Sequence, residues 1–293
     1  MKFFLTSFSF LAFVSLASTQ PYNKEVPGDP ARFVATEKTI FYKLGDRIIP
    51  IRVLQYGDVK NIICINLHDN ENTSVEAARS VLELKGGTLI KIENNDQRVV
   101  RFKWRGVSYS FDPNRIFSRV GIEQTLKENK RTSQSAIEEI EKFAQRLLQL
   151  IPDSTSCIVA LHNNTNEAYS VSTYLSGNAR QFDAKAVYAD SLQDVDDIIF
   201  TTDGLLYNKM ANNGYNSIWQ DNMHVRKDGS LSVYCGEKGK RYINIETEHG
   251  KFDRYAEMLT TLLAILAAEN KNVSEIIQNS PQIITTPQKP VDN

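Results

Sequence analysis

Short unbroken apolar runs alternate along this chain with stretches in which apolar residues recur every three or four positions. The first kind reads as buried strand and the second as amphipathic helix. Ile62-Ile63-Cys64-Ile65-Asn66-Leu67 and Ser156-Cys157-Ile158-Val159-Ala160-Leu161 are the clearest strands. Helical spacing is clearest over residues 135–151, where Ile137, Ile140, Ala144, Leu147, Leu148 and Ile151 share a face and Pro152 stops the helix. A helix over 74–84 follows the first run, with Thr73 or Ser74 as its cap and Gly86-Gly87 as its end. Another covers 253–269. Strands are predicted at 38–42 and 48–54 (an edge hairpin), 88–92, 98–104, 107–111, 184–188 and 197–201. A further pair, 231–235 and 242–246, flanks Gly236-Glu237-Lys238-Gly239. Strands alternating with strong helices predict a three-layer α/β/α domain around a central mixed, mostly parallel twisted sheet.

The chain ends read differently. A short basic start, an apolar segment to Leu16 and small residues to Thr19 have the three parts of a secretory signal peptide, expected over 1–19. The apolar core is shorter than the roughly 20 residues a bilayer span needs. Residues 20–35, with Pro21, Pro27 and Pro30, read as a polar leader, 36–275 as the folded domain and 276–293 as a disordered tail. No later stretch predicts a transmembrane segment, so the expected location is secreted or periplasmic. A net charge of -1 with both signs interspersed argues against a nucleic-acid partner. Three cysteines do not make a disulfide scaffold. Cys64 and Cys157 are candidates for one bridge if their strands are neighbours, and the odd count leaves a free thiol.

The chemistry lies at strand ends. The 62–67 run leads into His68-Asp69-Asn70-Glu71, and the 156–161 run leads into His162, in a chain with four histidines. Ligands collect outside the carboxyl ends of strands in open α/β sheets. Two His and one Glu with an open fourth position form a known catalytic zinc set. Phe111-Asp112-Pro113-Asn114-Arg115-Ile116-Phe117 places an Asn-Arg pair after a strand, a fork for a carboxylate. Glu246 and Glu248 lie two apart on the last strand, followed by His249, which either orients a carboxylate or caps a loop. Tyr169, in a hydroxyl-rich stretch after His162, and the 203–224 segment with Asp203, Tyr215, Trp219 and Gln220 are candidate cleft rims.

These motifs, in this order over about residues 56–250, resemble the zinc carboxypeptidase superfamily, nearest its succinylglutamate desuccinylase and aspartoacylase branch. His68 to Glu76 is similar to that branch's His-Gly-Asn-Glu-Thr stretch, and Asp112 to Phe117 to its Asp-Leu-Asn-Arg-x-Phe stretch. The resemblance implies one zinc ion on His68, Glu71 and His162. It implies Asn114 and Arg115 as holders of a substrate carboxylate and a glutamate of the last strand as general base. Glu246 fits that base best and Glu248 is the alternative. An arginine ahead of the Asn-Arg pair would polarise the scissile carbonyl, and Arg105 is the candidate, offset by two residues. Proline at 113 departs from the pattern, and no match to the branch's C-terminal β-domain is seen beyond residue 250.

The expected function is a secreted zinc-dependent hydrolase of an amide bond next to a free carboxylate, a carboxypeptidase or amidase/deacylase. Its expected partners are a small peptide or acyl-amino acid, with peptidoglycan-derived peptides among them. Two alternatives stay open: a non-catalytic binding module on the same scaffold, and a metal-dependent esterase or deacylase of sugars.

Overall fold

Residues 31–166 and 169–279 are described by a computed structural model, with side chains to residue 270. The expected signal peptide, most of the polar leader and the tail beyond 279 lie outside the described residues. The edge hairpin forms as β1 (Ala35–Leu44) and β2 (Arg47–Tyr56). Gly45 turns it with φ +60, and any side chain there would strike the Lys103 carbonyl. Next come β3 (Ile62–Asn66), α1 (Asn72–Lys85) and β4 (Gly87–Ile92). A separate two-stranded hairpin, β5 (Val100–Trp104) with β6 (Val107–Phe111), stands beside the main sheet. Helices α2 (Arg119–Glu128) and α3 (Gln134–Leu148) precede β7 (Cys157–Asn164). After it come β8 (Ala184–Tyr188), β9 (Ile198–Thr201), α4 (Gly204–Asn212) and β10 (Asn216–Gln220). The described chain closes with α5 (Leu231–Glu237), β11 (Tyr242–Glu248) and α6 (Phe252–Asn279).

Among the described residues the main sheet has nine strands, in the order β1-β2-β4-β3-β7-β11-β9-β10-β8. β1, β4, β3, β7, β11 and β8 run one way, and β2, β9 and β10 run against them. The expected mixed, mostly parallel α/β sheet is therefore present. Its two faces carry separate apolar cores. One packs Ile63, Ile65, Ile90 and Ile158 against α2 and α3 residues such as Ile122, Ile140 and Phe143. The other packs Cys64, Val159, Leu161 and Ile245 against Val81 and Leu82 of α1, Met210 of α4 and Met258 and Leu262 of α6. Alternating residues of each central strand serve opposite layers, as the period of two requires.

Several expectations are corrected. Residues 231–235 form helix, not strand: Ser230 caps α5 by accepting from the Val233 amide, and Leu231 and Cys235, one turn apart, both bury. The 203–224 segment forms α4 and β10, with Asp203 as the α4 cap and Trp219 stacked on Tyr207. Helix α1 starts at Asn72, and neither Thr73 nor Ser74 caps it. Glu71 stands at the cap position, and the Ser74 hydroxyl donates back to the Glu71 carbonyl at 2.7 Å. Its far end is as expected, with Gly86 at φ +78 donating to the Leu82 carbonyl. Strand β7 continues through His162 instead of ending before it. All three cysteines are buried free thiols, so Cys64 and Cys157 pack as small apolar groups on adjacent strands. Among the described residues no helix is long and apolar enough to cross a membrane.

Candidate metal centre

Strands β3, β7 and β11 are consecutive in the sheet, so their carboxyl ends deliver side chains to one place. His68 and Glu71 come from the short link between β3 and α1, and His162 comes from β7. His68 Nδ1 is 2.9 Å from one Glu71 oxygen, and His162 Nδ1 is 2.8 Å from the other. The two Nδ1 atoms are 3.2 Å apart. Imidazole lone pairs facing each other at this distance, with a carboxylate beside them, call for a proton or a cation between them. All three side chains are buried, and their ligand atoms lie within 4.8 Å of one another. Two imidazoles and one carboxylate form the donor set of an open catalytic zinc site.

The surrounding bonds orient these donors. His68 Nε2 donates to Asp112 Oδ1 at 2.7 Å, which directs Nδ1 at the centre. Asp112 is fixed in turn by the Arg98 guanidinium at 3.3 Å and, through its backbone amide, by the Thr125 hydroxyl at 2.9 Å. Arg98 also donates to Glu71 at 2.7 Å. Asp69 braces the loop that carries Arg98. Its carboxylate accepts from the Asn94 and Asp96 amides at 2.5 and 2.8 Å and pairs with buried Lys91. Asn95 and Asp96 both take left-handed φ values of 56° there. The donor set and these oriented partners fit a divalent metal.

Burial opposes a charge on His68, but Glu71 and Asp112 outweigh it and lift its pKa to about 9. Burial likewise works to raise Glu71 and Asp112, yet the neighbouring imidazoles hold Glu71, and His68 with Arg98 holds Asp112, well below the usual carboxylate range. Metal-free protein thus keeps His68 protonated at neutral pH. Its pKa is raised on folding, so this contribution to stability is complete below about pH 6.5 and fades as pH climbs to about 9. A metal ion must displace that proton. Zinc affinity of the metal-free protein is therefore expected to rise by about tenfold per pH unit between pH 6 and 8. Competition titrations at three pH values check this, and a flat profile would refute it.

A cavity of about 420 Å³ opens over the centre. Glu246 lines it, standing opposite His162 in the β11–β7 register, buried and accepting from Asn244 Nδ2 at 3.1 Å. Burial raises its pKa, with His162 pulling the other way. Glu248 lies one pleat pair further along, outside the cavity lining, with Lys251 at 3.4 Å. Asn114 lines the cavity, its Oδ1 held by the Leu231 amide at the start of α5 at 3.1 Å. Arg115 lines it too, bonding the Asn114 carbonyl at 2.8 Å and lying 3.7 Å from Asp228. Tyr169 also lines it, its hydroxyl 2.5 Å from that of Tyr174, with Arg180 over both rings. His249 is exposed at the mouth.

Arg105 is not brought to the cleft. It occupies the β5–β6 turn with φ 51° and stacks on Trp104, so the turn points it to solvent. The cation at the centre is Arg98, which sequence reasoning passed over. Asp112 was visible within its motif but carried no role until its bond to His68 was seen. The residues of the 203–224 segment singled out as a rim, Asp203, Tyr215, Trp219 and Gln220, also lie outside the cavity lining.

No family model matches the sequence, and no curated protein matches it. Solved structures that resemble the fold include proteins described as metallopeptidases and an aspartoacylase family protein. The tripeptide-bound cell shape determinant Csd4 of Helicobacter pylori is 11% identical, with a TM-score of 0.45, covering 79% of this chain and 60% of that one. An aspartoacylase family protein of Mesorhizobium loti is 13% identical, with a TM-score of 0.38, covering 86% and 66%. Thrombin activatable fibrinolysis inhibitor is 13% identical, with a TM-score of 0.41, covering 84% and 70%. Likeness this distant carries no residue roles, and those proposed below come from this chain's own geometry.

Proposed function

We propose that this protein is a secreted zinc-dependent hydrolase that cleaves an amide bond next to a free carboxylate, as a carboxypeptidase or acyl-amino-acid amidase. The observation that supports it most is the convergence of His68, Glu71 and His162 beneath one cavity that also holds Glu246, Arg98 and Arg115. Zinc held by the first three residues would supply a Lewis acid that polarises a carbonyl and acidifies water. The other residues have separable tasks. Arg115, with the Asn114 amide beside it, offers a planar fork to the substrate carboxylate and so fixes which bond lies over the centre. Glu246 takes a proton from the attacking water and delivers it to the leaving nitrogen, a task its raised pKa suits. Arg98 places positive charge where the carbonyl oxygen becomes negative. Tyr169, in the cavity lining, offers a hydroxyl to the bound substrate. The export signal directs this activity to extracytoplasmic peptides, cell-wall peptides among them.

The test is a panel of N-acyl amino acids and short peptides, each with a free carboxylate and as the matching amide, with and without chelator. Chelator-sensitive hydrolysis of the carboxylates alone is expected. Arg115→Lys keeps the charge but loses the fork, and is expected to lower kcat/KM by about tenfold to a thousandfold. Equal turnover of acids and amides, or an unaffected Arg115→Lys enzyme, would overturn the carboxylate clamp.

A further inference from the structure

A second concavity, of about 730 Å³, lies between the β5–β6 hairpin, the β1–β2 turn and the link from α2 to α3. It shares no residue with the metal cavity. Arg47, Arg101, Lys103, Lys130 and Arg131 line it, and none of the five forms an ion pair among the described residues. The one acid in its lining, Asp46, is turned to the Lys103 backbone amide at 2.7 Å. Arg47 and Arg101 bond only neutral acceptors, the Arg101 carbonyl and the Gln97 side chain. In a chain of net charge -1, this is a local concentration of unneutralised positive charge. It stays in place because the hairpin is docked on the β1–β2 turn, where the Asp46 amide donates to the Lys103 carbonyl at 3.0 Å.

The register adds a pattern. Arg101 stands opposite Ser110, and Lys103 stands opposite Ser108, on the outer face of the hairpin. Each pair joins a cation to a hydroxyl, a charged and a neutral donor side by side for the two non-bridging oxygens of a phosphodiester. Two residues separate the pairs, about 7 Å along a strand. Successive phosphates of a phosphodiester chain, only a few covalent bonds apart, have a spacing of that order. The concave shape disfavours a flat bilayer. The aromatic residues in the lining, Phe102 and Tyr109, are only 4% and 8% exposed, so they present no ring face for a base to stack on.

We propose that this groove binds a phosphodiester-linked polyol chain, a linear polymer of repeating phosphates without bases. It would tether the protein to such a polymer while leaving the metal cavity open.

The test uses the full chain and three soluble probes: a poly(glycerol phosphate) oligomer, an oligothymidylate with as many phosphates, and a poly-glutamate of equal charge. The glycerol phosphate oligomer is expected to bind tightest, with affinity falling as salt rises. Arg101→Glu and Lys103→Glu are each expected to weaken it at least tenfold, and Lys130→Glu, on the opposite wall, to do the same. All three side chains are exposed, so melting temperatures should be unchanged. Tighter binding of oligothymidylate would make the groove a nucleic-acid site. Equal binding of all three probes would reduce it to unspecific charge attraction. Absence of binding, or reversal variants that bind normally, would also overturn the proposal.

Discussion

Alanine at His68 or at His162 is expected to empty the metal centre and abolish hydrolysis together. Each change removes one of three protein donors whose atoms converge within 4.8 Å. Two donors leave an open and poorly defined site, and affinity should fall by several orders of magnitude. The two variants should differ in the metal-free state. His68 bonds both Glu71 and Asp112, so its loss takes a charged partner from two carboxylates and leaves them to Arg98 and His162, whereas His162 contacts Glu71 alone of the two. Losing one partner of a buried charge network is costly, and His68 serves two members of it, so His68→Ala is expected to melt lower than His162→Ala. Asp112→Asn forms an intermediate case. All three donors remain, but the acceptor that orients His68 is weakened, and about a tenfold to hundredfold loss of metal affinity is expected. Metal content by mass spectrometry, with melting curves on metal-free samples, reads all three. Stoichiometric zinc in both histidine variants would sink the assignment.

What the sequence made legible at this centre follows from how local each contact is. His68 and Glu71 are three residues apart at a strand end, so their shared chemistry is written into four consecutive letters. His162 was found because a second apolar run pointed at it. Arg98 was hidden, since nothing near it in the chain marks it, and its partners Glu71 and Asp112 lie 27 and 14 residues away. Arg105 looked better placed by counting, but a tight hairpin turn reversed its direction. The fold shows the same division. Central strands were legible because burial on both faces makes them continuously apolar. Leu231-Ser232-Val233-Tyr234-Cys235 alternates in a way that also places Leu231 and Cys235 one helical turn apart, so period alone could not choose. The Ser230 cap and the packing against β11 decided for helix. Helices α2 and α4 were missed because few of their apolar side chains bury, Ile122 and Leu126 in one and Leu206 and Met210 in the other.

The two glutamates of β11 give the sharpest remaining test. They share a strand face, so pattern alone left both as candidates for the base. Depth separates them: Glu246 is 8% exposed opposite His162, whereas Glu248 has passed the cavity and lies by Lys251. Only a base within hydrogen-bond reach of the attacking water moves its proton, so Glu246→Gln is expected to lower turnover by at least roughly a hundredfold. Zinc content should be unchanged, because Glu246 is not among the converging ligands. Stability supplies an independent sign. Burial raises the Glu246 pKa, so the group opposes folding by an amount that grows as pH rises above the ordinary glutamate range and is complete once pH passes the raised value. A neutral glutamine removes this cost, and the metal-free Glu246→Gln protein is expected to melt no lower than the parent. Glu248→Gln loses only a partly exposed pair with Lys251, worth at most about 1 kcal/mol, and should remain active. A dead Glu248→Gln enzyme beside an active Glu246→Gln enzyme would move the base one pleat pair outward. A Glu246→Gln protein that loses zinc would instead make Glu246 part of the metal site.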